Sequence, residues 1–225
     1  DCSGFLAQHH TLGYVHQAEA YSYEDDIDAA NVLLDKMQEL TPKAEYHYIE
    51  GNHEARVEKH AVTVAMKSGA PDVAKEAEHL RQLYAPEYLL HLEQRKIHHY
   101  RQGQFYHGLQ IPATIKLGSC HFTHGITTSL NSAKITVEKF GASVCYGHTH
   151  RMDSYHIRTI DKGSIAAWCP GCLCELQPLY LNQSVSQWQH GAGWQLVGSS
   201  GDFLHINVPI IDGKSYLSSV TSRLT

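Results

Sequence analysis

A chain of 225 residues with 42% hydrophobic side chains carries enough apolar material for one buried core without disulfide or metal staples. Its formal charge of -5 excludes a broadly basic surface that coats nucleic acid, while leaving room for a local basic groove. The sequence has no run of about 18 apolar residues and no basic-then-apolar leader, so it predicts neither a membrane-spanning helix nor a signal peptide, and a cytoplasmic location in a bacterium or a phage-infected host.

In chain order, residues 5–23 are aromatic, polar and weakly periodic, which predicts a loop or short helix at the rim of a site. Residues 25–40 place Ile27, Ala30, Leu34 and Met37 on one helical face, with acidic residues in the first turn and Pro42 beyond the end. Residues 46–49 read as a strand that delivers Asn52 and His53 at its C-terminal end, where open α/β sheets carry their sites. From 55 to about 108 the chain is charged and reads as helical, punctuated by Pro71 and Pro86. The separation between Glu54 and Thr123 is too long for a simple connection, so the expectation is one domain over 1–225 with a helical cap inserted at 55–108. Residues 115–123 return as a strand carrying His124, 131–140 as a short helix, and 142–146 as the strand before His148. The segments 154–160, 164–168, 194–197 and 203–209 alternate or run apolar between glycine-rich turns, predicting an antiparallel second sheet.

Three short strings carry the chemistry: Gly51-Asn52-His53-Glu54, Thr123-His124-Gly125 and Gly147-His148-Thr149-His150. Each follows an expected strand and sets imidazole or amide donors beside a glycine, whose backbone freedom lets a loop turn back over the sheet edge. An extended His148-Thr149-His150 would put both imidazoles on one face, because side chains along a strand alternate with period two. Neutral imidazoles and an amide oxygen suit borderline divalent transition ions.

The ordered trio resembles the signature blocks of the calcineurin-like metallophosphoesterase superfamily, in particular phage and bacterial members with a long helical stretch between the first two blocks. The resemblance implies an α/β fold, a layered αββα sandwich of two mixed sheets flanked by helices. It also implies two divalent transition metal ions, Mn²⁺ first, with Fe, Zn or Ni as alternatives. Asn52, His124 and His148 would then ligate one ion and His150 the other, while His53 would protonate the leaving oxygen or stabilise its developing charge. The family opens with an Asp-x-His block and a Gly-Asp-x-x-Asp block, and neither is complete here. Asp1 matches either the last Asp of the second block or the bridging Asp. On that mapping the chain lacks the first βαβ portion of the family and, as it stands, is expected to hold at most one ion tightly and to show little activity.

The expected partner is a phosphate-ester substrate, with no membrane involved. Two alternatives stay open: a nuclease or other phosphodiesterase acting on nucleic acid, and a non-catalytic metal-binding fragment. Arg56 and Arg151 are candidate phosphate binders or partners of nearby carboxylates. The run Arg95-Lys96-Ile97-His98-His99-Tyr100-Arg101 reads either as a grip on a nucleic-acid backbone or as a solvated helix end. Trp188 and Trp194 would line a cleft or cover the second sheet. Cys2, Cys120 and Cys145 read as small hydrophobes in a reducing compartment. Cys169, Cys172 and Cys174 have the spacing of a zinc clamp or redox pair, but no second Cys-x-x-Cys is present, so a Pro-Gly turn between strands is the favoured reading.

Overall fold

The computed structural model describes residues 22–103, 105–178, 181, 185–215 and 217. They divide into two compact units, one drawn from 1–102 with 179–182 and the other from 103–178 with 183–225. The expected rim segment at 5–23 falls almost wholly outside the described residues, as do Asp1 and Cys2.

In the first unit, helix α1 (Tyr23–Leu40) starts where Ser22 accepts a hydrogen bond from the Asp25 N–H, with Glu24, Asp25 and Asp26 in its first turn. Ile27, Ala30 and Leu34 pack on the buried cluster Leu90, Leu92 and Ile97, as the helical period predicts. Met37, expected on the same face, is 41% exposed. Strand β1 (His47–Ile49) leads through the Gly51-Asn52-His53-Glu54 turn into α2 (Glu54–Lys67), which buries Val57, Ala61 and Ala65 at four-residue spacing. The helix α3 (Val73–Tyr84), capped by Asp72, packs against α2, and the single turn α4 (Pro86–Leu89) follows.

Helix therefore ends at Leu89, well short of 108. Residues His98–Tyr100 form strand β2, paired in parallel with β1 from His47↔His98 to Ile49↔Tyr100. The ladder extends at both ends, with His98 N–H donating to the Tyr46 carbonyl and Glu50 N–H to that of Tyr100. Much of the segment expected as a cap thus shares a sheet and an apolar cluster with α1 and β1.

The second unit begins with a small hairpin, β3 (Phe105–Tyr106) and β4 (Leu109–Gln110). Its main sheet is five-stranded and mixed, built from β5 (Thr114–Leu117), β6 (Cys120–Thr123), β7 (Ser143–Tyr146), β8 (Met152–Thr159) and β9 (Gly163–Pro170) in the order β5-β6-β7-β9-β8. β6, β7 and β9 run parallel, and the edge strands β5 and β8 are antiparallel to their neighbours. Helix α5 (Ser132–Phe140) connects β6 to β7 and buries Ala133 and Val137 against Val144, Tyr146, Ile165, Ala167 and Cys169. The alternate residue Trp168 points to the other face, where it meets Phe203 and His205 of a second sheet.

That second sheet, β10 (Gly191–Val197), β11 (Phe203–Ile211) and β12 (Lys214–Ser215), is wholly antiparallel and not mixed. Asn207 ties it to the first sheet by donating to the carbonyls of Asp153 and Cys169 at 3.2 and 3.0 Å. Two segments expected in the second sheet, 154–160 and 164–168, instead belong to the five-stranded one. β9 pairs with β7 through Val144↔Ala167 and Cys145↔Trp168, and so becomes an internal strand. The fold is mixed α/β, with helix, mixed sheet and antiparallel sheet layered within this unit. Among the described residues no helix is long and apolar enough to cross a membrane.

Leu92 is 2% exposed at the centre of the first unit's apolar cluster. Leu92→Ala should destabilise the protein by about 2–4 kcal/mol, read as a lower urea midpoint. A midpoint unchanged within error would show that this cluster does not hold the unit together.

Candidate metal centre

Strands β6 and β7 are adjacent and parallel, so the chain leaves both at the same edge of the sheet. Their last registered pair is Thr123↔Tyr146, and the next residues continue the ladder, with Gly147 N–H donating to the His124 carbonyl at 2.9 Å. His124 and His148 thus emerge side by side: His124 Nε2 and His148 Nδ1 lie 3.0 Å apart and share a hydrogen bond. Two glycines make the approach feasible. A Cβ on Gly125, whose φ is +126°, would come within 2.9 Å of the His148 Cβ, and one on Gly147 would lie 3.3 Å from the His124 carbonyl oxygen.

The 147–150 loop is not the extended His-x-His expected. His148 and His150 have φ of 72° and 58°, left-handed backbone that costs about 1 kcal/mol or more per non-glycine residue. Two such residues curl the loop, and the period-two argument fails for that reason. Thr149 N–H bonds to the Gly147 carbonyl inside the curl, while the Thr149 hydroxyl rests on the buried Cys169 thiol at 3.4 Å. Beneath the loop, the Tyr146 hydroxyl is hydrogen-bonded to the Ser132 hydroxyl at 3.1 Å and to the Asp153 carboxylate at 3.3 Å. Burial, assisted by His150, lowers the His148 pKa and so favours its neutral, ligating form at pH 7.

Two nitrogens each about 2.1 Å from one ion and at a right angle around it lie about 3.0 Å apart. The His124–His148 separation of 3.0 Å is that of a hydrogen bond between the rings and lies close to this spacing.

His150 is placed elsewhere. Its ring packs edge-on against Trp188, with centroids 4.2 Å apart, and its Nδ1 lies 3.7 Å from the Cys174 Sγ. With Cys172 it completes a trio whose ligand atoms all lie within 4.8 Å of one another and which could hold a metal ion. The Cys174 thiol beside it holds Cys172 down at about 7, and the same contact together with burial pushes Cys174 up to about 12. His190 Nε2 contacts the Cys174 carbonyl at 2.8 Å, and Cys172 forms a β-bridge with His190. Sequence reasoning missed this trio because it looked for a second Cys-x-x-Cys, whereas the third donor comes from the 147–150 loop. In place of a Pro-Gly turn between strands, Pro170 ends β9 and Gly171 follows it at φ 95°, where a Cβ would strike the Gln189 carbonyl oxygen at 2.3 Å.

Of the other candidates, Asn52 and His53 belong to the first unit. His53 is the helical residue preceding α2. Their turn closes on itself, since Glu54 accepts hydrogen bonds from the Gly51 N–H at 2.8 Å and the Tyr48 hydroxyl at 2.9 Å. Arg56 stands in the first turn of α2, half-buried. In the second unit Arg151 donates to the Ser129 carbonyl at 2.8 Å and to Gln187 at 3.4 Å, so its guanidinium is already partly engaged within the fold. Trp194 is 40% exposed on β10.

The basic run 95–101 is not a helix end, and its two arginines are paired with carboxylates of the same unit, while Lys96 is exposed. Arg95 pairs with Asp35 and also donates to Asn31, Gln38 and the Leu90 carbonyl. Arg101 pairs with Glu58 and Glu87, and His98 with Glu45. His99 reaches Glu50 from one ring nitrogen at 2.9 Å and Glu87 from the other at 3.3 Å. Glu50, Glu87 and His99 form the second group able to hold a metal ion. Its donors are already satisfied: Glu50 accepts from the Gln102 N–H, and Glu87 pairs with the buried Arg81 at 2.6 Å.

The close fit at Gly125 makes a direct test of how the pair is positioned. Gly125→Ala should displace His148 and weaken divalent cation binding about 10–100-fold, measured by calorimetric titration with Mn²⁺, while leaving the far-ultraviolet dichroism of the fold intact. Unaltered affinity would mean that the glycine contact does not set the imidazole pair. Comparison with family models, with curated proteins and with solved structures returns no match for this chain.

Proposed function

We propose that this protein is a metal-dependent phosphoesterase, a hydrolase that cleaves a phosphate ester with water. The observation that carries the proposal is the meeting of His124 and His148 at 3.0 Å at one edge of a parallel strand pair, within two of the three glycine-bounded motifs that resemble metallophosphoesterase blocks. His124 and His148 would hold a divalent transition ion, Mn²⁺ first; Asn52, in the other unit, would be an amide ligand on the strength of the resemblance alone. When bound, such ions supply a Lewis acid for the phosphoryl oxygens and lower the pKa of attacking water. His53, from the Gly51-Asn52-His53-Glu54 turn, is assigned to proton delivery at the leaving oxygen. The internal pairing of Arg95 and Arg101 argues against the run 95–101 as a nucleic-acid groove, so a small phosphate ester is the preferred substrate class over a polynucleotide.

Two sets of variants test the assignment with an aryl phosphate and an aryl phosphodiester as substrates in the presence of Mn²⁺. His53→Ala should retain bound metal and lower kcat by about two to four orders of magnitude; undiminished kcat would remove His53 from the chemistry. His124→Ala and His148→Ala should each lose Mn²⁺ retention by elemental analysis, because one imidazole fewer opens the shell to water. Equal metal content in both variants and the parent would overturn the metal assignment.

A further inference from the structure

The chain contains a second donor set, whose two cysteines no phosphoesterase motif accounts for, and its chemistry differs from that of the first. We propose that His150, Cys172 and Cys174 form a zinc site of two thiolates and one imidazole, with the fourth tetrahedral position taken by water. Zinc bonded to sulfur at about 2.3 Å and to nitrogen at about 2.0 Å in a tetrahedron sets those two atoms about 3.5 Å apart. The Cys174 Sγ and His150 Nδ1 are 3.7 Å apart, and the Cys172 Sγ lies within 4.8 Å of both. Only small side-chain rotations separate this arrangement from a coordinated one.

The backbone around the trio is fixed from several directions, which keeps the donors convergent. The Cys172 N–H donates to the Gln189 carbonyl at 2.9 Å, the Gln189 N–H to the His150 carbonyl at 2.9 Å, and the Gly191 N–H to the Cys172 carbonyl at 3.1 Å. His190 contacts the Cys174 carbonyl, and Trp188 covers one edge of the His150 ring. A metal there would also offset the left-handed backbone of His150, whose φ is 58°. All three residues are half-buried, so solvent can reach the remaining position.

Donor softness decides the ion. Thiolates favour zinc over Mn²⁺ or Mg²⁺, whereas an imidazole pair without sulfur is far less selective. The trio is therefore a zinc site separate in preference from the His124–His148 pair. It takes His150 away from the second ion of the phosphoesterase resemblance, and it rests on the mutual geometry of His150, Cys172 and Cys174, not on the phosphoesterase reading.

The test uses the full chain, reduced and stripped with a chelator, then titrated with Zn²⁺ alone and in parallel with Co²⁺, whose thiolate complexes absorb in the near ultraviolet. One zinc per chain should survive gel filtration, and the cobalt form should show sulfur-to-metal charge-transfer bands. Cys172→Ser and Cys174→Ser should each weaken zinc binding at least about a hundredfold and lose those bands, while His124→Ala keeps both signals. If either serine variant fails to fold, the cobalt spectrum of the unsubstituted chain decides. A cobalt complex without thiolate bands, zinc retention unchanged in both cysteine variants, or a Cys172–Cys174 disulfide that yields no zinc-binding chain on reduction would each overturn the proposal. Failure of the phosphoesterase reading looks different: zinc and cobalt signals intact, with no metal-dependent ester hydrolysis.

Discussion

The arrangement of the second unit's candidate chemistry depends on one backbone hydrogen bond, from Gly147 N–H to the His124 carbonyl. It prolongs the β6–β7 ladder by one residue beyond the sheet proper, so that two loops from parallel strands start in register and not merely near each other. A side chain at Gly125 would push them apart, because its Cβ would come within 2.9 Å of the His148 Cβ, less than a carbon-carbon contact, while at Gly147 the fit is tight at 3.3 Å from the His124 carbonyl oxygen. The base of the same edge is anchored by fully buried groups: Cys169 under Thr149, and Tyr146 hydrogen-bonded to Ser132 and Asp153. The imidazoles inherit their positions from this packed foundation, in the way a preorganised site requires its supporting shell to be rigid.

The two halves of the donor chemistry are stabilised differently. In the first unit, Glu50, Glu87 and His99 are tied to Arg81, Arg101 and the Gln102 N–H, so charges are satisfied by protein groups, and a cation would have to displace them. In the second unit, the candidate donors are the imidazole of His150 and the thiols of Cys172 and Cys174. Burial of the first network is consistent with a structural role that joins β1, β2 and the helical stretch, whereas the second combines thiols with an imidazole, donors that suit a soft ion.

What the sequence made legible was local. The apolar period of α1, its acidic first turn, the short helix α5 and the strand before His148 follow from side-chain pattern and turn chemistry, whereas the single strand expected over 115–123 is the antiparallel pair β5–β6, broken by the turn at Gly118-Ser119. The missed features are non-local. His98-His99-Tyr100 looked like part of a charged helical stretch because its strand character comes from pairing with β1, about fifty residues earlier. β9 looked like an antiparallel segment because only its parallel contact with β7 shows it to be internal. The left-handed His148 and His150 break a period-two rule that holds only for extended chain. The link between His150 and the cysteines depends on the loop and the turn after β9 meeting in space, and no spacing within either segment encodes it.

The account stands on the claim that His124 and His148 are two ligands of one cation. Crystals grown with Mn²⁺ as the sole transition metal would test it through an anomalous difference map. The account predicts a peak within coordination distance of both His124 Nε2 and His148 Nδ1, with the hydrogen bond between the rings replaced by two metal-nitrogen contacts. A map at saturating Mn²⁺ with no peak at that pair, and the two rings still hydrogen-bonded to each other, would contradict it.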